Sequence, residues 1–452
     1  MDFLKVDQYI EDHLEENLVE LSKLIAVPSI SAERRQLKEC ADLLISFLER
    51  RRFSIQGFSN HDAPIIVAEK RGRTSDTLLF YNHYDVQPPE PLEEWKTPPF
   101  EAVIKNELLY GRGSNDNKGN ITNRLLAIDA LLNESEELPC TIKFLIEGEE
   151  ETSSQHFEHF VRSHQDLLMA DACIWEFGGV DHEDTPMQYL GLRGICYVEL
   201  EVQTAQRDIH SGLGGSIFPN AAWRLVWALA SLKSDNEKIL IEGFYDDIVP
   251  PQKRDIELMA ALPETSDDYK KRFGIDQFLG GLTGGAELRI AEAFRPTCTI
   301  CGLTAGYQGS GSKTVMPARA SAKLDFRLVP NQRPEVVLEL LKNHLKKSGY
   351  GDVKVNYLGG EAPARTDPDD PFVKLVVDTA KDIYDKPMRI VPMTGGSGPN
   401  FVVQDVLKIP IVTIGIGHPD GRAHAPNENI RLDLYKQTAK YITRIINQFS
   451  SR

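Results

Sequence analysis

The sequence predicts a two-part α/β protein: a split domain with a mixed sheet and flanking helices, interrupted by an inserted α+β domain. Three observations predict it. Short apolar runs alternate with amphipathic helical patterns up to Gly191. After Gly191 the pattern shifts to longer alternating strands with fewer helices, and from Pro371 the first pattern resumes. At 452 residues the chain is also too long for one ordinary domain. The expected boundaries are 1–191, 192–370 and 371–452, the first and last segments forming one domain.

Apolar side chains at helical spacing (Leu18, Leu21, Leu24, Ile25) predict a helix over 5–26, ended by Pro28. Ala41, Leu44, Ile45 and Leu48 share one face of a second helix, Gln36–Arg52. Strands are expected at Pro64–Glu69 and Thr77–Asn82, followed by a loop imposed by Pro88, Pro89, Pro91, Pro98 and Pro99. Leu108–Tyr110 then leads to a helix over Asn120–Leu132, a strand from Thr141, a helix at Phe157–Leu168 and a strand at Ala172–Trp175. The middle block reads as a strand at Arg193–Thr204, a helix at Asn220–Leu232, a charged stretch at 251–275, strands at 296–303 and 319–329, and a helix at Pro334–Lys347. The last segment carries a helix at 371–384, strands at 388–391 and 409–414, and a final helix over Asp433–Phe449. No internal repeat or low-complexity tract interrupts this order.

Composition excludes several classes. A net charge of −16 argues against nucleic acid or anionic membrane as a partner. No apolar stretch approaches a membrane span, and Met1–Lys5 lacks a signal-peptide core. Six scattered cysteines fit reduced thiols in a cytoplasm, and the Cys298-Thr299-Ile300-Cys301 pair, without a second pair, reads as packing.

Chemistry concentrates where strands end. Thr141–Glu147 runs into Gly148-Glu149-Glu150-Glu151, and acids crowded at a strand end repel one another unless positive charge sits among them. An isolated acidic run is ordinarily a solvated loop. Here, however, His83, Asp116 and Glu176 also follow predicted strands, and His424 lies beyond the Ile409–Ile414 strand and its glycine-rich exit. Open α/β sheets bind ligands at that rim, and two histidines with one aspartate and two glutamates make an inventory for a pair of zinc ions. The spacing of His83 and Asp85 lets Asp85 orient the imidazole without binding metal. Adjacent Glu150 and Glu151 point different ways, so one can hold metal while the other acts as a base.

Together with Gly191-Leu192-Arg193-Gly194 and Asp208-Ile209-His210-Ser211-Gly212, these motifs resemble the co-catalytic di-zinc metallopeptidases: aminoacylases, glutamate carboxypeptidases and carnosinase-type cytosolic non-specific dipeptidases, the last most of all. The resemblance covers nearly the whole chain. It implies a catalytic domain split by a lid and dimerisation domain, with two divalent ions per chain, zinc before manganese or cobalt. One ion would be held by His83, Asp116 and Glu176, the other by Asp116, Glu151 and His424, with Asp116 bridging. Glu150 would be the general base, with Glu149 in reserve should the register slip by one, and Asp85 the support for His83. His210 would reach a partner subunit's site and stabilise the oxyanion, making the protein a homodimer. Arg327 would grip a substrate carboxylate bidentately, with Thr314, Asn220 and Ser397 as further substrate contacts. The implied activity is metal-dependent hydrolysis of a dipeptide or similarly small peptide. Glu176, where many dipeptidase members carry Asp, keeps open an N-acyl amino acid deacylase or carboxypeptidase. A catalytically silent metal-binding scaffold is disfavoured because every ligand and the base are present. Asn117 stands where many members carry a second Asp, at a position that binds no metal. Gly309–Thr314 resembles a phosphate loop, but it lacks the glycine before Lys313 and no helix pattern follows. His418 lies near His424 but outside the Ala-His-Ala-Pro-Asn-Glu context.

Overall fold

The structure is a computed structural model that describes residues 1–58 and 62–450. The chain divides into two compact units: Met1–Leu190 with Thr366–Pro392 and Val402–Arg452, and Gly191–Arg365 with Met393–Phe401.

The first unit is built on a six-stranded mixed sheet, in the spatial order Ser54–Phe58, Ile65–Lys70, Thr141–Glu147, Thr77–His83, Ala172–Trp175, Ile411–Thr413. The first two pairings are antiparallel and the remaining three parallel. Every residue of Thr141–Glu147 and Ala172–Trp175 is buried, as parallel strands covered on both faces require. Phe80 and Phe144 stack at 5.3 Å, Phe53 meets Phe144 edge-on, and Tyr81 lies on Trp175 at 3.7 Å. Because the last four strands run parallel, their carboxyl ends share one edge of the sheet. That edge carries His83, the turn after Glu147, Glu176 and the loop after Thr413.

The helices differ from expectation in instructive places. The single helix expected over 5–26 is two, Phe3–Asp12 and Leu14–Ile25. At the break His13 stacks on Tyr9 at 3.8 Å, and both its backbone N–H and its Nδ1 lie 3.0 Å from the Tyr9 carbonyl at the end of the first helix. The helix expected over 157–168 likewise breaks at His164. The helix expected to 384 ends at Ala380, and a helix at Asn400–Leu407 and the edge strand Ser54–Phe58 went unread. Lys118–Glu134 is buried almost all round although it carries Asn120, Thr122, Asn123 and Arg124.

The second unit holds a four-stranded antiparallel sheet ordered Thr299–Ala305, Arg319–Leu328, Gly194–Gln203, Lys354–Glu361. Cys196, Val198, Leu200 and Val202 alternate inward and pack in one core with Leu324, Phe326, Leu225 and Leu341. The charged stretch at 251–275 is largely helical, as Lys253–Ala261 and Ser266–Phe273, and Gly285–Phe294 and Lys354–Glu361 add a helix and a strand. These elements bury few residues, so no apolar period announced them. Cys298 is buried as expected of a packing residue, but Cys301 is exposed, so the pair does not pack as a unit. The segment resembling a phosphate loop leads into a strand, not a helix. No helix among the described residues is long and apolar enough to cross a membrane.

Phe144 sits at the centre of the first core, fully buried between two aromatic neighbours. Phe144→Ala is expected to destabilise that unit by about 3–5 kcal/mol, read from the shift of its denaturant midpoint. A shift below about 1 kcal/mol, the range of tolerated hydrophobic swaps, would contradict this packing.

Candidate metal centre

His83 is the last residue of its strand and is fully buried. Its Nδ1 lies 3.1 Å from the Asp85 carbonyl and 3.3 Å from Asp85 Oδ1, so Nδ1–H can donate to Asp85 while Nε2 faces the other carboxylates. Nε2 in turn lies 2.9 Å from Asp116 Oδ1 and 3.1 Å from Glu176 Oε2. The other Asp116 oxygen, Oδ2, lies 3.1 Å from His424 Nε2, which is 3.0 Å from Glu151 Oε2. Asp116 thus divides its two oxygens between two trios, His83–Asp116–Glu176 and Asp116–Glu151–His424. Among the described residues, His83, Asp116 and Glu151 each place a ligand atom within 4.8 Å of the others.

Two buried carboxylates hold the loops that carry these groups. Asp85 accepts from the backbone N–H groups of Glu150 (3.2 Å) and Glu151 (3.0 Å), fixing the short turn Glu150–Thr152. Glu428, which the sequence reading assigned no role, accepts from Arg112 Nη1 at 2.8 Å and from the N–H groups of Gly113, Asn115 and Asp116 at 2.9–3.0 Å. It lies four residues past His424, so one carboxylate ties the His424 loop to the Asp116 loop. The only sign of it in the sequence is its place at the end of the Ala423–Glu428 motif. Gln87 adds a donor, Nε2 to Glu151 Oε2 at 2.9 Å.

The charges show what the cluster lacks. Burial, reinforced by Asp116, Glu151 and Asp85 and partly offset by His83, pushes the Glu150 carboxyl up to about 8. Burial likewise raises Glu176 well above the carboxylate range. Hydrogen bonds to Asp116 and Glu151 lift His424 to about 10. Burial alone would lower His83, but Glu176, Asp116 and Asp85 outweigh it and raise it. Glu151 Oε1 and Glu176 Oε2 are buried and make no hydrogen bond. Carboxylates held by protons, imidazoles driven cationic and orphaned buried oxygens all describe a site completed by cations, whose charge reverses each shift. Oxygen and imidazole donors in two trios with one shared carboxylate fit a pair of divalent ions.

The remaining candidates fall elsewhere. Glu149 accepts from His156 Nδ1 at 2.6 Å, whereas the Glu150 carboxylate has no hydrogen-bond partner among the described residues. His418 faces Asn429 Oδ1 at 3.1 Å. In the second unit His210 is exposed, and Ser211 N–H donates to Thr314 O, which puts Thr314 beside it. Asn220 Oδ1 caps the helix Ala221–Ala230 by accepting from Ala222 N–H and Trp223 N–H, leaving its amide Nδ2 free to donate. Arg327 donates through Nε to Asp325 at 3.1 Å and through Nη1 to Ser397 Oγ at 2.8 Å.

A mixed α/β sheet with paired histidine–carboxylate trios at its carboxyl edge defines a metal-dependent hydrolase. The family model for Peptidase family M20/M25/M40 matches residues 79–448, and the chain belongs to that family; it is a metallopeptidase. It is similar to the Cys-Gly metallodipeptidase dug1 of Schizosaccharomyces pombe, 27% identical with 99% of this chain and 98% of that protein covered. The human Beta-Ala-His dipeptidase is 28% identical, over 94% of this chain and 88% of that protein. Among solved structures, the M20 family metallo-carboxypeptidase Sso-CP2 of Sulfolobus solfataricus superimposes with a TM-score of 0.89 at 36% identity, covering 97% of this chain and 100% of that one. Human carnosine dipeptidase 1 gives 0.78 at 26%, with both chains fully covered.

Restoring zinc or manganese to chelated protein is expected to raise its unfolding temperature, the gain reaching about 2.7 kcal/mol at a free-metal concentration one hundred times Kd. His424→Ala, at a largely exposed side chain, should fold normally and keep only part of that gain. A parent protein indifferent to metal would defeat the assignment.

Proposed function

We propose that the chain hydrolyses the amide bond of dipeptides or similarly small peptides with two divalent ions per chain, zinc foremost and manganese or cobalt as substitutes. The division of the Asp116 oxygens between two trios carries this reading. His83, Asp116 and Glu176 would hold one ion, and Asp116, Glu151 and His424 the other. Bound there, the ions supply Lewis acidity, polarising the scissile carbonyl and acidifying a coordinated water. Asp85 fixes the His83 tautomer that offers Nε2 to metal. Glu150, whose carboxylate is committed to no other group, takes the proton of the attacking water and delivers it to the leaving amine. The engagement of Glu149 with His156 supports Glu150 rather than Glu149 in that role.

The second unit, in this reading, is the lid and dimerisation domain. Arg327, steadied by Asp325 and Ser397, receives the substrate carboxylate, with Thr314, Asn220 and Ser397 as further contacts. His210 stabilises the oxyanion from a partner subunit. The exposed apolar side chains Leu213, Ile217, Phe218, Trp223 and Trp227 support a second copy covering this unit. A cytoplasmic location and the absence of nucleic-acid and membrane partners belong to the same proposal, which rests on the acidic charge and the free cysteines.

A second reading has a specific observation behind it: the 36% likeness to a metallo-carboxypeptidase, together with glutamate at 176. Assaying dipeptides beside longer peptides and N-acetyl and N-succinyl amino acids separates the two. Preference for dipeptides sustains the dipeptidase, and preference for the others moves the assignment to a carboxypeptidase or deacylase.

Glu150→Ala is expected to retain its metal and lose about 10²–10⁴-fold in kcat; full turnover would sink the proposed base. If His210 acts across an interface, mixing His210→Ala with Glu150→Ala subunits should restore part of the activity, since one of the two sites in the mixed dimer is intact. Mixed dimers no more active than the parents would place His210 within its own subunit.

A further inference from the structure

The trio His83–Asp116–Glu176 is backed by a buried network of uncharged amides and one guanidinium that the chemistry above does not use. Asn82 immediately precedes His83, and Asn117 immediately follows Asp116. The two side chains are hydrogen-bonded to each other, Asn82 Nδ2 donating to Asn117 Oδ1. Asn117 Nδ2 then donates to the backbone carbonyl of Glu176 at 3.1 Å. Each member is thus the chain neighbour of one ligand or is bonded to the backbone of another. Arg124 closes the network from the helix Lys118–Glu134. Its Nη1 donates to Asn82 Oδ1 and to Tyr81 O (2.6 Å), and its Nη2 to Trp175 O (2.8 Å) and Ile414 O (3.3 Å). Those three carbonyls lie within two residues of the ends of three adjacent strands, and Trp175 is the residue before Glu176. Asn82, Asn117 and Arg124 are each at most 1% exposed.

We infer that Asn82, Asn117 and Arg124 are positioning residues that register the three strand ends so that His83, Asp116 and Glu176 converge on one ion. The chemistry of the amides is specific to the task. Asn117 must accept from Asn82 and donate to Glu176 O at once, which a carboxylate cannot do. The amide pair itself adds no charge beside ligands whose own charge the ion must balance, and its bonds to each other, to Arg124 and to Glu176 O hold one geometry. Groups that orient metal ligands typically contribute ten- to a hundred-fold in metal affinity. The network meets His83 and Glu176, which belong to the first trio alone, and the shared Asp116. Glu151 and His424 are held instead by Asp85, Gln87 and the Glu428 loop, so the second trio depends on the network only through Asp116.

The inference rests on the ligand assignment above, and the test separates the two. Full-length protein is chelated, then titrated with zinc against a chromophoric competitor and with cobalt followed by its visible absorption. In a His424→Ala background, where only the His83–Asp116–Glu176 trio remains complete, Asn117→Leu and Asn82→Leu should each weaken the remaining ion about ten- to a hundred-fold and alter the cobalt spectrum. The double variant should be little worse than either single one, because both break the same network. In a Glu176→Ala background, where the remaining ion meets the network only through Asp116, the same changes should weaken it clearly less. Asn117→Asp, which keeps the acceptor and the shape, should show an intermediate loss and carries the test if a leucine variant does not fold. Asn123→Leu is the control. It removes a buried bond to Tyr435 O (2.6 Å) from the same helix, and should lower the melting temperature without changing metal affinity. Parent-like affinity in the Asn82 and Asn117 variants overturns the inference, as does equal loss in Asn123→Leu or in the Glu176→Ala background. A parent chain that binds no metal overturns the ligand assignment itself.

Discussion

Five carboxylates, those of Asp85, Asp116, Glu150, Glu151 and Glu176, crowd two imidazoles at the end of a buried sheet, and burial among like charges drives the carboxyls of Glu150 and Glu176 upward unless positive charge is bound beside them. Much of the first unit follows from that constraint. Parallel pairing of four strands brings their carboxyl ends to one edge, so residues far apart in sequence meet without a long loop. His83 and Glu176 are buried there, which strengthens their attraction to a cation and makes an uncompensated anion expensive.

The support for the cluster is mostly backbone. Asp85 and Glu428 each accept several N–H groups from a ligand-bearing loop, so the loops are drawn toward fixed anions. Arg112 offsets the Glu428 charge at 2.8 Å in a fully buried pair. The His424 loop is held in unusual conformations: Arg422, His424 and Asn427 all have positive φ, at 54°, 62° and 66°. Such backbone costs about 1–3 kcal/mol per residue and persists only where its surroundings demand it. Here the demand comes from the bonds of Asn427 to Lys96 N–H and Glu94 O and from the grip of Glu428 on the facing loop.

How far this was legible in the sequence depends on the kind of signal. The fold class was legible because the sheet strands are short apolar runs and the long strands of the second unit alternate. The trios were legible as an inventory, since each charged residue sits just past a run that reads as a strand. Elements that bury little, such as Lys253–Ala261 and Lys354–Glu361, left no periodic trace. The break at His13 was hidden because the apolar period continues through it. Asn82 and Arg124 escaped notice, and Asn117 was noted only as a residue that binds no metal, for a different reason. Neutral amides and a helix-borne arginine read as surface residues until the tertiary structure shows them buried and bonded to strand ends. Glu428 was hidden in the same way, by partners more than 300 positions away.

The two units divide the proposed labour in a way that explains why dipeptidase and carboxypeptidase relatives both match the chain end to end. Charge balance and strand registry in the first unit constrain each ligand from several sides, so the hydrolytic centre changes little without losing its ions. Arg327 is under looser constraint. It is half-buried, on a strand, with Asp325 and Ser397 as its bonded neighbours, and burial pushes nearby Glu361 up to about 7 even with the Arg327 charge lowering it. A few substitutions around that guanidinium would alter which carboxylate-bearing substrate is held, and how long it is, without touching the metal ligands. Under the proposed function, reaction class is a property of the first unit, and substrate length and end group are set in the second.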